Sequence, residues 1–171
     1  MVLNGKTLLR AAPIMNMQDE KVRVGDTTYG LGEAGYDISI DQEIIFTKTW
    51  FLRRWRSYSS GLIGSGWYKM QKGRFVLASS IEFFNMPKYL VGIVHDKSSL
   101  ARQGLSVFNT VIEPGWKGYL TLELMYHGDK PFILPHGSGI AQVIFHRLSD
   151  EAQYEGRYQN QASGPVSTIR F

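Results

Sequence analysis

An all-β barrel or sandwich is the fold class that this sequence predicts. Eight short apolar segments are separated by turns rich in glycine, proline, asparagine or aspartate, a pattern typical of strands. Helical periodicity is nearly absent from the rest of the chain. The 171 residues are enough for one domain with a buried core. We therefore expect one mostly β domain with one or two short helices.

The predicted elements begin with a short helix. The segment NGKTLLRAA is suited to a helix start, with Asn4 as its N-cap. A second helical turn is expected at SSLAR (98–102), with Ser98 or Ser99 as its N-cap. The predicted strands cover residues 36–41, 43–47, 74–84, 90–95, 105–112, 119–126, 132–135 and 141–148.

The C-terminal tail differs from the rest of the chain. GRYQNQASGPVSTIRF (156–171) is polar and has no clear periodicity. It is either a frayed end or an arm that becomes ordered on a neighbouring chain or a ligand. We divide the chain into a β domain at residues 1–155 and this C-terminal arm at residues 156–171.

The composition excludes several kinds of site. The chain has no cysteine, so disulfides, thiolate zinc sites and a cysteine nucleophile are excluded. The four histidines have no HExxH or His-x-His spacing, and we expect no zinc. No apolar run predicts a transmembrane helix or a secretory signal. We expect a cytoplasmic protein with no membrane partner.

The positive charge of the chain is concentrated in one segment. The net charge is +4, and TKTWFLRRWRSYSS (47–60) has four basic residues and no acidic one. Residues 47–69 also contain Trp50, Trp55 and Trp67. Three interpretations stay open: a stacking surface for single-stranded nucleic acid, an oligomer interface, or a hairpin whose basic stems pack on aromatic rings. A nucleic-acid partner is not expected from one short basic segment.

Two glutamates flank the turn in NTVIEPGWKGYLTLEL (109–124). Side chains alternate between the faces of a strand, so Leu120, Leu122 and Leu124 share one face and Glu123 lies on the other. Glu123 is then either a solvated residue on the wet face of the sheet or a functional carboxylate.

Two further motifs carry polar groups suited to a ligand. In HDKSSLARQG (95–104), two serine hydroxyls lie between two cations, a set that suits phosphate oxygens. The helical turn expected there would also present its N-terminus to an anion. In GLGEAGYDISI (30–40), a glycine turn leads into a strand, and we expect Asp37 to be half-exposed there.

The order of these motifs resembles the dCTP deaminase family of the trimeric dUTPase superfamily. The sequence GYDIS is followed by KSSLARQGL, VIEPGWKGYLTLEL, LPHGSGIAQVIF and RYQNQ. The resemblance covers roughly residues 30–46 and 70–171, and residues 47–69 look like an insertion. It implies a distorted β-barrel or jelly roll of the dUTPase-like type, a homotrimer with active sites shared between neighbours, and an arm that closes over bound nucleotide.

The resemblance also implies roles for individual residues. Glu123 matches the catalytic glutamate that moves protons between water and cytosine, with no metal activating the water. Ser98 matches the serine that positions water and substrate, and Arg102 the arginine near that glutamate. Magnesium is expected only on the triphosphate. The nucleotide-binding set that the resemblance implies is Lys97, Ser99, Val111, Glu113, Trp116, Arg157, Tyr158 and Gln161.

Two positions depart from the family pattern in opposite directions. Glu113 stands where dUTPases and bifunctional deaminases usually have aspartate, and the longer side chain disfavours in-line attack on the triphosphate. Val111 stands where many monofunctional deaminases have arginine, and an apolar residue is typical of the bifunctional ones. We expect hydrolytic deamination of dCTP to dUTP and ammonia. Two alternatives stay open: dUTP diphosphatase activity, alone or after deamination, and a non-catalytic regulatory trimer that binds a partner through residues 47–69.

Overall fold

The computed structural model describes residues 1–51, 53–60 and 68–169, which form fourteen strands and two short helices. The helices are α1 (Gly5–Ala11) and α2 (Ser98–Ala101). The strands are β1 (Val2–Leu3), β2 (Lys21–Val24), β3 (Thr27–Leu31), β4 (Tyr36–Ser39), β5 (Ile44–Lys48), β6 (Trp55–Ser60), β7 (Tyr68–Lys72), β8 (Phe75–Asn85), β9 (Leu90–Asp96), β10 (Leu105–Val107), β11 (Val111–Ile112), β12 (Lys117–Tyr126), β13 (Phe132–Leu134) and β14 (Gly139–Arg147).

Within the described residues, the strands form three antiparallel sheets. The largest has the order β11-β9-β14-β4-β3-β2, and β1 also pairs with β14. A three-stranded sheet has the order β10-β12-β8, and a four-stranded sheet has the order β13-β5-β6-β7. Sequence neighbours are often separated in space, which is the crossed connectivity of a jelly roll. The predicted mostly β fold is confirmed.

The core forms where the inward faces of the sheets meet. Along β12, alternate residues are buried, so Leu120, Leu122 and Leu124 lie inside, as predicted. They pack with Phe46 of β5 and Phe145 of β14 in one hydrophobic cluster. Burial of apolar surface of this kind is the main stabilising contribution to the fold. The opposite face of β12, which includes Glu123, is partly exposed.

All eight predicted strand regions contain a strand, but one prediction has the wrong shape. Residues 105–112 are two strands, not one: β10 pairs with β12, and β11 pairs with β9 in another sheet. The chain leaves one sheet at residues 108–110 and enters the next, so the segment cannot stay continuous. The sequence analysis did not predict β1, β2, β3, β6 or β7.

The helix predictions are confirmed in place, but only one of the two cap predictions is right. Asn4 is the N-cap residue of α1, as predicted, although its side chain donates to the carbonyl of Glu33 (3.0 Å) and forms no cap hydrogen bond with the helix. The residue before α2 is Lys97, so the expectation that Ser98 or Ser99 is the N-cap was wrong. Both serines lie inside the helix, which begins at Ser98.

Asp37 was predicted to be half-exposed, and that prediction was wrong. It lies on β4 in the largest sheet and is only 5% exposed. Its carboxylate forms an ion pair with the ammonium of Lys97, which follows β9. A buried carboxylate needs such a partner, since burial without one is costly. The ion pair connects the strand of Asp37 to the start of α2.

The segment at residues 47–69 extends the four-stranded sheet. Its described part contains the end of β5, all of β6 and the start of β7, which pair as consecutive hairpins. Trp67 lies outside the described residues, so its predicted contribution is left as a prediction. No helix among the described residues is long and apolar enough to cross a membrane.

Candidate active site

A cavity of about 390 Å³ lies beside the outward face of β12. Its walls come from β8, β11, the turn between β11 and β12, and the C-terminal tail. A cleft of this size, with an apolar majority and a few polar groups, is typical of a small-molecule site. The described residues that line it are Phe75, Leu77, Thr110, Val111, Ile112, Glu113, Trp116, Leu120, Thr121, Glu123, Tyr154, Tyr158, Gln161, Val166 and Thr168.

Glu123 is half-buried in the wall of this cavity. It lies directly opposite Leu77 in the β12–β8 pairing, and Leu77 lines the same cavity. Desolvation by these surroundings raises the pKa of the Glu123 carboxyl above its ordinary value. The alternative of a fully solvated glutamate therefore does not describe this side chain. A carboxyl whose pKa is moved toward neutrality is suited to accept and return a proton.

The turn before β12 holds Trp116 against the barrel. The amide of Trp116 donates to the carbonyl of Glu113 (3.1 Å), which closes the PGW turn. The Trp116 ring packs on Phe84, and its indole nitrogen donates to the carbonyl of Tyr158 (2.6 Å). One side chain thus connects the barrel, the floor of the cavity and the tail.

The tail lies along the start of β12. The amide of Tyr119 donates to the carbonyl of Gln161 (3.1 Å), and the amide of Asn160 donates to the carbonyl of Lys117 (2.9 Å). Gly118 lies between these contacts, and a Cβ there would come within 2.6 Å of the Gln161 nitrogen. Glycine at position 118 is therefore required for the tail to approach this closely.

Further along β12, Thr121 contacts the tail a second time. Its hydroxyl oxygen accepts a hydrogen bond from the amide of Val166 (3.0 Å). It also lies 3.4 Å from the side-chain oxygen of Gln161. Thr121 and Glu123 share the outward face of the strand, so the tail covers the cavity next to the glutamate.

The structure brings together six of the eleven residues predicted for the site. Residues from β11, the PGW turn, β12 and the tail line one cavity: Val111, Glu113, Trp116, Glu123, Tyr158 and Gln161. Their roles stay predictions.

The other five predicted residues do not line the cavity of this chain. Ser98, Ser99 and Arg102 are exposed at α2. Lys97 is ion-paired with Asp37, and Arg157 donates to the carbonyl of Ile169 (2.6 Å). The exposed groups of α2 are accessible to a neighbouring chain, and their roles also stay predictions.

Several residues of the cavity wall were not predicted. Leu77 and Phe75 lie on a strand that was predicted, but they reach the cavity through pairing with a strand more than forty residues away. Tyr154, Val166 and Thr168 lie beyond the barrel, where the sequence has no periodicity. The only sequence signal that this tail is ordered was its content of aromatic and hydrogen-bonding residues.

A second glutamate, Glu82 of β8, is more deeply buried than Glu123. It is 8% exposed and accepts hydrogen bonds from the amide (2.9 and 3.0 Å) and hydroxyl (2.8 Å) of Ser39. Desolvation raises the pKa of Glu82 to about 7, against the opposing effect of the Ser39 hydrogen bonds. Glu82 lines a different cavity and does not contact the one at Glu123.

Comparison with known proteins shows which family the chain belongs to. A family model described as dCTP deaminase-like matches residues 9–148. The dCTP deaminase of Roseiflexus castenholzii is 35% identical over 153 residues, which cover 83% of each chain. The "dCTP deaminase, dUMP-forming" of Aquifex aeolicus is 35% identical over 108 residues, 61% of this chain and 60% of that protein.

Solved structures show the same fold at lower identity. The 2'-deoxycytidine 5'-triphosphate deaminase of Agrobacterium tumefaciens superposes with a TM-score of 0.53 at 15% identity, over 85% of this chain and 47% of that one. The native EIAV dUTPase superposes with a TM-score of 0.50 at 19% identity, over 87% of this chain and 95% of that one. The fold is thus dUTPase-like.

Proposed function

Because this chain belongs to the dCTP deaminase-like family, we propose that it hydrolyses dCTP to dUTP and ammonia. The observation that carries the proposal is Glu123, a carboxyl with a raised pKa in the wall of a small-molecule cavity. The proposal predicts that this one side chain handles every proton of the reaction.

The deamination needs a base that becomes an acid within one turnover. Glu123 takes a proton from the attacking water as its oxygen bonds to C4 of cytosine, and delivers that proton to N3. It then moves the second proton of the former water to the amino group, which leaves as ammonia. The water oxygen stays on C4, so dCTP and water become dUTP and ammonia. Desolvation of Glu123 beside Leu77 favours both roles, because it raises the pKa of the carboxyl and so makes its protonated form easier to reach during turnover.

The other cavity residues would hold the nucleotide. We assign base and sugar contacts to Val111, Glu113 and Trp116, which line the same cavity as Glu123. Tyr158 and Gln161 of the arm at residues 156–171 would close over the phosphates. Arg157 of the same arm would add a positive charge on the phosphate side, where a guanidinium is suited to phosphate oxygens.

A neighbouring subunit would complete the site. Ser98, Ser99 and Arg102 are exposed on α2 and lie outside this chain's own cavity. In the proposed closed homotrimer, each α2 would face the cavity of the next subunit. There Ser98 would position water, Arg102 would contact Glu123, and Ser99 and Lys97 would contact the triphosphate. The Lys97 ammonium has three donors, so its ion pair with Asp37 leaves donors for phosphate.

Magnesium would enter with the nucleotide. Among the described residues, no three His, Asp or Glu side chains come together as metal ligands. Triphosphate oxygens are themselves good ligands for Mg²⁺, which usually keeps several waters. When bound, the ion would neutralise phosphate charge, and the protein residues would hold the phosphates from outside.

The direct test is product analysis with purified protein, magnesium and either dCTP or dUTP. We expect dUTP and ammonia from dCTP. Glu123→Gln should lower kcat about a hundredfold or more, because the amide cannot accept and return the proton. The shape of the side chain is kept, so binding of dCTP should change little. Circular dichroism of the variant should match that of the wild type. No ammonia under conditions in which a control deaminase works would refute the proposal.

A dUTP diphosphatase activity is a second candidate, favoured by two observations. Glu113 lines the same cavity as Glu123, and the Aquifex aeolicus relative is named as dUMP-forming. If Glu113 activates a second water, dCTP should yield dUMP and pyrophosphate, and Glu113→Gln should stop the reaction at dUTP. If the wild type accumulates dUTP from dCTP, this second step does not occur. If the protein converts dUTP but leaves dCTP unchanged, it is a diphosphatase without deaminase activity.

A further inference from the structure

One surface of the molecule carries far more positive charge than the proposed reaction uses. We name it the hairpin surface and define it as the described residues of 47–60 and 68–74. No acidic residue occurs between Glu43 and Glu82, a stretch with seven basic residues. The rest of the chain has twelve basic and fifteen acidic residues, so it is net negative. The seven are Lys48, Arg53, Arg54, Arg56, Lys69, Lys72 and Arg74.

The aromatic residues of the hairpin surface fall into two groups. Trp55 is already occupied: the Lys48 ammonium lies 4.9 Å and the Arg74 guanidinium 4.3 Å from its ring centroid. The hairpin interpretation, with basic stems on an aromatic ring, therefore describes Trp55. Trp50 and Phe51 differ, because in the turn before β6 they are 97% and 90% exposed. Consecutive in the chain and both almost fully exposed, the two rings form a small apolar patch beside cations, which is a feature of interaction sites.

The outward face of the four-stranded sheet continues this surface. The strand pairings place Ile45, Tyr58, Met70 and Ile133 in one row across all four strands. Met70 and Ile133 are more than half exposed. The next row, toward the Trp50 turn, contains Arg56 opposite Lys72. Apolar and aromatic groups thus lie beside cations on an open sheet face.

The basic segment alone did not predict a nucleic-acid partner, but the structure adds two exposed rings and the paired cations of β6 and β7. From this combination we propose that the hairpin surface binds single-stranded nucleic acid. The basic side chains would neutralise backbone phosphates, and Trp50 and Phe51 would stack on unpaired bases. Trp55 would hold Lys48 and Arg74 in place and would not stack on a base. None of these side chains lines the Glu123 cavity, so the site is separate from the proposed active site.

The placement of the cations favours a flexible polyanion over a membrane. Arg56 and Lys72 lie on the outward face of the sheet, whereas Lys69 pairs with the buried Ser59 and so lies on the other face of the edge strand β7. The field of an anionic lipid surface decays within about 8 to 10 Å, so a flat membrane acts on one face at a time, whereas a flexible single strand can follow cations around the edge strand. Lysine is also depleted at protein–protein interfaces, and three of the seven cations are lysines.

The test measures fluorescence anisotropy of a labelled 20-nucleotide oligo(dT) with full-length protein across a salt series. We expect binding that weakens with salt, with a log–log slope of roughly −3 to −4 for four to six phosphate contacts. The variant Trp50→Ala with Phe51→Ala should lose about tenfold or more in affinity at unchanged slope. Trp50→Phe with Phe51→Tyr should keep most of the affinity, since a ring remains at each position.

Charge variants test whether binding depends on the cations of the hairpin surface or only on the net charge of the protein. Arg53→Glu with Arg54→Glu should weaken binding and flatten the salt slope. The matched control is Lys6→Glu with Arg10→Glu on α1, which makes the same charge change on exposed residues of another face. The control should bind oligo(dT) like the wild type. dCTP turnover should be unchanged in the Trp50 and Phe51 variant.

Several results would overturn the proposal. Displacement of the oligonucleotide by saturating dCTP would place binding in the Glu123 cavity. Equal affinity for a duplex of the same length, together with no loss in the Trp50 and Phe51 variant, would leave only nonspecific charge attraction. A changed subunit mass in that variant would make the surface an interface between copies of this chain. Co-sedimentation with phosphatidylcholine–phosphatidylserine vesicles but no oligonucleotide binding would make the partner a membrane.

Discussion

The raised pKa of Glu123 comes from its neighbours across the strand pairing. Leu77 lies directly opposite, and Phe75 follows at the next position on the same face of β8. Both line the cavity, and Phe75 is held there by Phe108, with ring centroids 6.2 Å apart. These apolar groups exclude water from one side of the carboxylate, which disfavours its charged form. The pKa of the proposed proton shuttle is thus set by apolar residues that exchange no protons themselves.

Leu77→Asn should therefore shift the pH dependence of the reaction. An amide opposite Glu123 restores polar solvation, which lowers the pKa of Glu123 toward its ordinary value. A base is active only when ionised, so the acid limb of kcat/KM for dCTP should move to lower pH. The pH profile of kcat/KM, measured from pH 4 to 9, checks this.

Leu77→Val is the matched control, because it keeps an apolar side chain at the position. Its acid limb should stay where the wild type has it, whatever happens to the maximum rate. If Leu77→Asn loses activity at every pH with no movement of the limb, Leu77 acts only through packing.

Residue-level predictions from the sequence succeeded where they depended on local alternation. The leucine face of β12 and the outward position of Glu123 follow from a period of two. The contact with Leu77 does not, since it depends on which strand pairs with β12 and in what register. The ion pair between Asp37 and Lys97 was missed for the same reason, because sixty residues separate its partners.

At the scale of elements, β12 serves the barrel, the cavity and the tail at once. One face packs the core, the other carries Glu123, and its first residues bind residues 160–161 through the backbone. The Thr121 hydroxyl accepts a hydrogen bond from the Val166 amide, which is the contact of β12 furthest along the tail. Loss of that contact should loosen the cover of the cavity and leave the barrel intact.

Thr121→Val removes this hydroxyl and keeps the shape of the side chain. The Val166 amide then loses its acceptor, and we expect the KM for dCTP to rise about fivefold to tenfold. The effect on kcat should be smaller, because the variant leaves Glu123 in place. Limited proteolysis should show faster cleavage within the tail, with steady-state kinetics on the same sample.

Thr121→Ser keeps the oxygen and should restore both the KM and the protease resistance of the wild type. A tail that is cleaved at the same rate in all three proteins would mean that the Val166 contact does not hold it.

Element boundaries show where local sequence signals stop. The eight predicted strands have strong apolar periodicity, but β2 and β7 do not, since their residues are mainly exposed or half-exposed. The break between β10 and β11 is invisible locally, because LSVFNTVI has the composition of one strand. Only the pairing of its halves with different sheets divides it.

At the scale of the whole molecule, nine of the eleven predicted site residues fall into two sets. Six line the Glu123 cavity, and three are exposed at α2. The family resemblance predicted both sets from the sequence, but motif order contains no information on which subunit contributes each. A trimer in which α2 of one subunit meets the cavity of the next would unite them.

Mixing two inactive variants tests this arrangement. Glu123→Gln and Arg102→Ala should each be inactive alone, because each removes one half of every site. When the two proteins are unfolded together and refolded at equal concentration, some sites combine an intact Glu123 with an intact Arg102 from the neighbour. Random assembly of a closed trimer makes about a quarter of the sites intact, so activity should recover toward about a quarter of the wild type. The refolded wild type is the reference, and the double variant refolded alone is the blank. If Arg102 acts within its own subunit, no mixture contains an intact site, and activity after mixing should stay at the level of the blank.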